Sequence, residues 1–356
     1  MKSRAERIIE LAQLGPNEAI YLTKPSNMFY VSGYTGEGAV IIGHGFCAVV
    51  TDSRYTEQVT RQAPGFEVLE IKTGQRHAAL ACEYLTGHHV DTVRFEADEV
   101  TVKAFENMKL DMPGFTLTEL KGEPEQVRRI KEPSEIALIR EACDISCKAL
   151  TNILPIFKED ISETDLRIAL EFEMLKLGAD GLAFDTIVAS GENGSLPHAI
   201  PGPRKLKKGD MITLDFGARK GGYDADMTRT VALGEPSAEL KKIYGIVLEA
   251  QQTCQDAMHA GLVASDVDKI SRDIIGGAGY GKYYGHGLGH SVGIDIHENP
   301  RLSPVCHDIL TENTTMTVEP GIYVPGVGGV RIENTCVIGA EQSETLVWFT
   351  KDLLIL

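Results

Sequence analysis

Short apolar runs alternate with amphipathic stretches over about the first 120 residues. The apolar runs predict β-strands, and the stretches between them have the spacing of helices. Strands are expected at residues 19–22, 38–42, 47–51, 66–71 and 92–95, and helices at residues 54–61 and 99–108. Strands that alternate with helices are typical of an α/β domain.

The pattern changes near residue 124. Residues 121–129, KGEPEQVRR, are polar, and two long amphipathic helices follow them. The second helix is expected to begin with a capping box opened by Ser162 and to stop at Gly178. We therefore predict two domains, residues 1–124 and residues 125–356.

Strand-like runs dominate the rest of the second domain. They lie at residues 186–190, 211–218, 223–231, 315–318, 330–338 and 346–349, with one further helix at residues 237–260. Helices combined with antiparallel hairpins in one unit predict an α+β domain. The expected fold is therefore an α/β domain followed by an α+β domain.

Composition and charge exclude several classes of protein. Hydrophobic residues make up 43% of the chain and charged residues 24%, as in folded globular proteins. The net charge of −16 disfavours nucleic acid or an anionic membrane surface as the main partner. No signal peptide and no membrane span is recognised, so a cytoplasmic location is expected. The 7 cysteines are scattered and odd in number, and we expect reduced thiols.

Two carboxylates are expected to face each other in a hairpin over residues 213–230. A turn at Lys220 and Gly221 would place Asp215 directly opposite Asp226. Carboxylates this close repel each other unless a cation lies between them. For this hairpin alone, two solvated strand ends are the simpler interpretation, and the nearby Asp224 is expected to meet solvent.

A second pair of carboxylates, Glu319 and Glu333, follows the same pattern. A loop centred on Gly326 would place them opposite each other, although Pro320 has no N–H and disturbs the local ladder. The neighbouring residues are mostly apolar, and a buried glutamate is rare without a partner. The two hairpins together favour a metal site.

Histidines lie between the two carboxylate pairs. His286, His290 and His297 are interleaved with glycines, which allow close approach of the backbone to nitrogen ligands and proton carriers. The spacing of His286 and His290 resembles a helical zinc motif, but the glycines disfavour a helix and no glutamate follows the first histidine. His198 follows a predicted strand and, by itself, would be interpreted as a surface histidine in a turn.

Five motifs resemble the ligand signature of the pita-bread metallopeptidases. They are LDFG with Asp215, DADMTRT with Asp226, GHGLGH ending in His290, TVEPGIY with Glu319 and VRIEN with Glu333. Within that superfamily the chain is similar to the Xaa-Pro peptidases, aminopeptidase P and prolidase. The N-terminal runs NMFYVSGYTG and VTDSRYTEQ resemble the creatinase-type domain of those enzymes. The resemblance implies an α/β creatinase-like N-terminal domain and an α+β pita-bread catalytic domain.

The resemblance also implies two divalent metal ions. Asp215 and Asp226 would bind the first ion, and His290 and Glu319 the second, while Asp226 and Glu333 would bridge both. Oxygen ligands in excess of nitrogen favour manganese, with cobalt or zinc as alternatives. Glu319 would in addition carry a proton toward the leaving proline nitrogen after an activated water attacks the peptide.

Further residues match positions around the substrate. His198 and His297 match histidines that stabilise the tetrahedral intermediate and the departing group. His286 and Arg331 match positions that orient the metal ligands. Arg301, in HENPR, matches an arginine that holds the free carboxylate of a dipeptide.

The implied activity is cleavage between an N-terminal residue and proline. The substrate would be a proline-containing di- or oligopeptide, the enzyme a homodimer, and neither nucleic acid nor a membrane would be a partner. The sequence leaves dipeptidase and aminopeptidase activity open. A metal-free creatinase-like amidinohydrolase and a non-catalytic pita-bread binding module are alternatives that the complete ligand set disfavours, and methionine aminopeptidases generally lack the N-terminal domain.

Overall fold

The computed structural model describes residues 2–356, and the chain divides into two compact units between Arg128 and Arg129. The domain limits expected from the sequence, residues 124 and 125, lie inside α6 (Glu123–Arg129). The polarity of this stretch did not reveal a helix, and the limits stay a prediction. Within residues 2–356, no helix has both the length and the apolar character that crossing a bilayer requires.

The N-terminal unit is built around one mixed sheet. Its strands are β1 (Glu18–Leu22), β2 (Ala39–Gly43), β3 (Phe46–Thr51), β4 (Glu67–Glu70), β5 (Thr92–Phe95) and β6 (Thr116–Glu119). Its helices before α6 are α1 (Arg4–Leu11), α2 (Pro25–Ser32), α3 (Thr56–Gln62), α4 (His77–Gly87) and α5 (Val102–Asp111). The strand order is β4-β3-β2-β1-β5-β6, with β1, β2 and β3 antiparallel and the outer pairings parallel. The α/β prediction for this unit is confirmed.

The second unit combines helices with antiparallel sheets, as the α+β prediction requires. Its helices are α7 (Pro133–Ile153), α8 (Glu163–Lys176), α9 (Ala238–Ala257) and α10 (Ala264–Gly277). Its first strands are β7 (Gly181–Leu182), β8 (Ile187–Ser190), β9 (Met211–Phe216), β10 (Ala218–Lys220), β11 (Tyr223–Asp224) and β12 (Met227–Ala232). The later strands are β13 (Gly289–Ser291), β14 (Glu298–Leu302), β15 (Thr315–Val318), β16 (Gly321–Val324), β17 (Gly328–Arg331), β18 (Asn334–Ile338) and β19 (Ser343–Thr345).

Several local predictions for this unit can be compared with the structure. The capping box of Ser162 is present, and Gly178 follows the end of α8 with a φ of +98°. The strand expected at residues 346–349 is wrong, because the strand in this region is β19 and residues 346–349 lie outside it. A short apolar run can be buried without joining a sheet, and periodicity alone does not separate the two cases. The cysteines in the described part of the chain are all unpaired thiols.

The register predicted for the first hairpin is wrong by two residues. Thr228, and not Asp226, lies opposite Asp215 in the pairing of β9 with β12. The turn consists of Gly221 and Gly222, with φ values of +56° and +81°. A two-residue hairpin turn of this type needs positive φ at both positions, which a glycine pair supplies and a lysine does not. A shift of two residues keeps every side chain on its face, so the two aspartates still face the same side.

The register predicted for the second hairpin is confirmed. β16 pairs with β17, and β15 pairs with β18, in one continuous register on either side of Pro320. Glu319 and Glu333 therefore occupy opposing positions between the two ladders. Gly326, with a φ of +76°, lies in the connecting turn as expected.

Candidate metal centre

One cavity of about 490 Å³ in the second unit is lined by every site residue that the sequence predicted. These residues are Asp215, Asp226, His290, Glu319, Glu333, His198, His286, His297, Arg301 and Arg331. They come from strands of different sheets and from the loops beside them, so chain segments distant in sequence build the cavity together. The structure brings all of the predicted residues to one place.

Three of the predicted ligands form the tightest group. One ligand atom from each of Asp226, His290 and Glu333 lies within 4.8 Å of the other two, and all three residues are buried. The Nε2 atom of His290 is 3.6 Å from Oδ2 of Asp226 and 3.3 Å from Oε1 of Glu319. This spacing leaves room for a cation between the side chains.

The environment of His290 presents a free nitrogen lone pair to the carboxylates. Its Nδ1 lies 3.1 Å from the carbonyl oxygen of Ser291 and donates to it, so Nε2 is the unprotonated nitrogen. Burial lowers the pKa of the imidazole to about 3, which keeps the ring neutral. Gly289 allows this placement, because a Cβ there would overlap the carbonyl oxygen of Thr317 on the neighbouring β15. Gly289 therefore allows close packing of the two strands.

The carboxylates are poorly compensated by the protein alone. Burial and the charge of its neighbours raise the pKa of Asp226 and of Glu333 well above the usual value, and burial raises the pKa of Glu319 to about 7. Oδ1 of Asp215 and Oε1 of Glu333 are buried and have no hydrogen-bond partner among the described residues. Orphaned buried oxygens beside a neutral imidazole fit a hard divalent cation.

Arg331 connects the metal face with the loop that carries His198. Its guanidinium donates to Asp215, to the hydroxyl of Tyr323 at 2.9 Å and to the carbonyl oxygen of Pro197 at 3.2 Å. Its Nε donates to Oγ1 of Thr228 at 3.1 Å. The sequence assigned Arg331 to the orientation of ligands, and these contacts suit that role.

Two residues in this network were missed by the sequence analysis. The Thr228 hydroxyl donates to Oε2 of Glu333 at 2.7 Å, and the Tyr323 hydroxyl lies 2.9 Å from Nε2 of His286. The correct hairpin register would have placed Thr228 opposite Asp215, whereas no local pattern pairs Tyr323 with His286. Burial lowers the pKa of His286 to about 4, so its ring is neutral.

The remaining predicted residues line the open side of the cavity. His198, His297 and Arg301 are all solvent exposed. The ring of His297 packs edge-on against that of His290, with centroids 4.6 Å apart, and burial of part of the ring lowers its pKa. Arg301 lies directly opposite His290 in the pairing of β13 with β14, which places both on one face of the sheet.

Buried carboxylates also hold the histidine-bearing loops from behind. Asp268 on α10 accepts the N–H of Leu288 at 2.9 Å and binds Arg272, which donates to the carbonyl oxygen of His286 at 2.8 Å. Glu298 accepts the N–H groups of two residues just before His297 and forms a buried ion pair with Lys131 at 2.9 Å. These loops are fixed by side chains outside the cavity.

Asp224 does not meet solvent, and that expectation is wrong. Its side chain is fully buried and forms a 2.6 Å ion pair with Arg219, which lies opposite it in the pairing of β10 with β11. Its N–H donates to the carbonyl oxygen of Gly293 at 2.8 Å. Burial raises its pKa to about 7 in spite of the arginine. The turn lies one residue later than predicted, which pairs Asp224 with Arg219, and the backbone of Asp224 contacts the neighbouring loop at Gly293.

Comparison with known proteins identifies relatives of the whole chain. The model of "Metallopeptidase family M24" matches residues 137–340, and that of "Creatinase/Prolidase N-terminal domain" matches residues 4–130. The chain is 32% identical to an Xaa-Pro dipeptidase of Pyrococcus furiosus, over 99% of this chain and 100% of that protein. The structure is similar to that of an Xaa-Pro dipeptidase from Bacillus anthracis, with a TM-score of 0.95, 37% identity and 99% of both chains covered. It is also similar to an X-Pro aminopeptidase from Thermotoga maritima, with a TM-score of 0.92, 33% identity, and 98% and 100% of the two chains covered.

Proposed function

The chain belongs to metallopeptidase family M24, and on that premise we propose that it hydrolyses the bond between an N-terminal residue and a following proline. The observation that carries the proposal is the convergence of four carboxylates and a neutral histidine on one cavity, with two carboxylate oxygens buried and unpartnered. Membership of the family implies divalent metal ions. The same residues disfavour a metal-free amidinohydrolase and a binding module, because neither would need such a cluster.

We assign two ions to the centre, with manganese as the expected metal. Asp215 and Asp226 would hold one ion and His290 and Glu319 the other, with Asp226 and Glu333 shared between them. The opposed positions of the glutamates, the shared face of the aspartates and the excess of oxygen over nitrogen ligands support this assignment. When bound, such ions lower the pKa of water and polarise a carbonyl group.

The protein side chains have separate tasks in the proposed reaction. The carboxylate of Glu319 would accept a proton from the attacking water and deliver it to the proline nitrogen of the leaving group. The N–H groups of His198 and His297, at the open side of the cavity, would donate to the oxygen on which negative charge develops. Arg331 would hold the Asp215 carboxylate in place.

Proline accounts for the need for a dedicated enzyme. Its nitrogen carries no N–H and its φ is fixed, so peptidases that hold an extended backbone through this donor handle the bond poorly. The cavity is also lined by the apolar residues Phe184, Ile187 and Ile296. An apolar lining of this kind suits a pyrrolidine ring better than a charged side chain.

The test is peptide cleavage followed by mass spectrometry. Xaa-Pro and Xaa-Pro-Yaa peptides are incubated with manganese-loaded and with chelated protein, and peptides with alanine in place of proline serve as controls. We expect hydrolysis of proline peptides only, two ions per chain by elemental analysis, and loss of activity on chelation. Full activity of metal-free protein, or equal cleavage of the alanine peptides, would refute the proposal.

The proposal includes a homodimer, checked by sedimentation, and a cytoplasmic location, checked by cell fractionation.

Arg301 decides between dipeptidase and aminopeptidase activity. Arg301 lies on the same face of the sheet as His290 and lines the cavity. Its guanidinium could form a bidentate contact with the carboxylate of a dipeptide. Arg301→Ala should raise KM for Xaa-Pro and spare Xaa-Pro-Yaa, whose terminus lies further out. Arg61→Ala, an exposed arginine in the other unit, is the control. Equal effects on both peptides would remove Arg301 from the site and favour aminopeptidase activity.

A further inference from the structure

The position of His198 depends on the backbone of its loop. The loop joins β8 to β9, begins with a short 3-10 helix at Gly191–Ser195, and carries His198 with its side chain exposed. An exposed imidazole is not packed in place by neighbours. Its location relative to the metal face is therefore set by whatever fixes the chain on either side of it.

Glu163, outside the cavity, holds the two ends of the segment from Ser190 to Gly202, which contains His198. It is the first residue of α8 and is fully buried. At the near end, its carboxylate accepts the N–H and the hydroxyl of Ser190, both at 2.7 Å, and the side-chain amide of Asn193 at 3.0 Å. At the far end it accepts the N–H of Gly202 at 3.1 Å. One side chain thus ties together the two ends of the segment that contains His198.

The middle of the segment contacts β17, beside the predicted metal ligands. Gly194 packs against Gly329 of β17 so closely that a Cβ on either glycine would meet the other's backbone. Arg331, on the same strand, donates to the carbonyl oxygen of Pro197, the residue before His198, and also binds Asp215. The two ends of this segment and its middle are therefore held by different groups. At the ends, the carboxylate of Glu163 acts together with Arg204, which donates to Oγ of Ser190 at 2.7 Å, and with Thr164, whose hydroxyl donates to the carbonyl oxygen of Gly202 at 3.0 Å.

We propose that Glu163 is a positioning residue that places His198 for the proposed peptide hydrolysis, an inference that rests on the proposed function. A carboxylate accepts hydrogen bonds only, so it can serve all four donors at once, and the N-terminus of α8 favours its negative charge. A glutamine of the same shape would present N–H groups to one of these donors. One end of the segment would then lose its hydrogen bond to this side chain, and His198 would shift while the metal ligands stay in place.

The test is a double-mutant cycle between Glu163→Gln and His198→Ala in the metal-loaded protein. Glu163→Gln should lower kcat for an Xaa-Pro-Yaa peptide ~10- to 100-fold, with KM and metal content little changed, because small displacements of a catalytic group have effects of this size. In the His198→Ala background the same substitution should have almost no further effect. Glu192→Gln, an exposed glutamate in the same loop, should leave activity unchanged.

Each other outcome has a definite meaning. An equal loss in both backgrounds, a loss of metal, or no loss at all would overturn the role of Glu163. If Glu163→Gln does not fold, Asn193→Ala removes one donor at the near end and is put through the same cycle. Full activity of His198→Ala would refute the inference and leave the proposed function standing, whereas inactivity of the metal-loaded wild type would refute both.

Discussion

Glu319→Gln should have opposite effects on stability in the metal-free and in the metal-loaded protein. In the metal-free chain the Glu319 carboxylate is buried beside other carboxylates, and burial raises its pKa from the usual 4.5 to about 7. One pKa unit corresponds to ~1.4 kcal/mol, so keeping this group ionised at neutral pH costs ~3 kcal/mol. A neutral glutamine avoids that cost, and its N–H can donate to the Nε2 of His290, now 3.3 Å from the carboxylate oxygen.

The expected shift is large enough for calorimetry. For a unit of this size, 1 kcal/mol changes Tm by ~2–4 °C, so the chelated variant should unfold ~6 °C or more above the chelated wild type. With manganese present, the order should reverse, because the variant has lost a charged ligand and gains less from binding. Peptide hydrolysis by the variant should be nearly abolished.

The control is Glu341→Gln, which removes an exposed carboxylate and should leave both Tm values unchanged. A chelated Glu319→Gln protein that unfolds below the chelated wild type would show that burying the ionised Glu319 carboxylate does not destabilise the metal-free chain. A metal-loaded variant as stable and as active as the wild type would show that Glu319 is not a ligand. Either result contradicts the reasoning.

Three further predictions follow from the same contacts. The pKa values of Asp226 and Glu333 are raised in the folded metal-free chain, which therefore retains protons that the unfolded chain releases. Relative to the metal-loaded protein, the stability of the metal-free chain should fall as pH rises from about 5 to 8. Thermal unfolding of both forms at pH 5 and at pH 8 checks the direction of this change. Glu333→Ala should reduce metal content, by elemental analysis, more than alanine substitution of Asp215, His290 or Glu319, since a bridging ligand serves both ions and each of those three serves one. Gly329→Ala should lower the free energy of unfolding by ~1–3 kcal/mol because its Cβ would strike Gly194, whereas Gly245→Ala, in open space on α9, should raise it by ~0.5–1 kcal/mol; urea denaturation compares the two.

The sequence predicted the members of the site better than the contacts between them. The turn at Gly326 can be centred in only one way, so the sequence correctly predicted that Glu319 and Glu333 lie opposite each other. The first hairpin offered two adjacent turns, and only the glycine pair supplies positive φ at both central positions. Its aspartates were nevertheless placed on the correct face, because an even shift preserves alternation.

Long-range contacts account for most of what was missed. The hydrogen bond from Thr228 on β12 reaches Glu333, between β17 and β18, and the hydrogen bonds of Glu163 reach a loop some thirty residues away, as with Asn193. No periodicity encodes such partners, since they depend on how elements pack after they form. The burial of Asp224 was missed for the same reason. The helix α10 was missed although its buried positions, Ala264, Val267, Ser271 and Ile275, follow helical spacing.

The buried carboxylates behind the histidine-bearing loops determine at which stage the backbone of these loops becomes ordered. Fixing one residue's backbone costs ~1–2 kcal/mol of conformational entropy, and here Asp268, Glu298 and Glu163 impose that ordering as the protein folds. A peptide that arrives at the cavity therefore gives up its own conformational freedom but does not have to order the rim as well. Structures with and without a bound peptide should accordingly superpose closely along the loops that carry His198, His286 and His297.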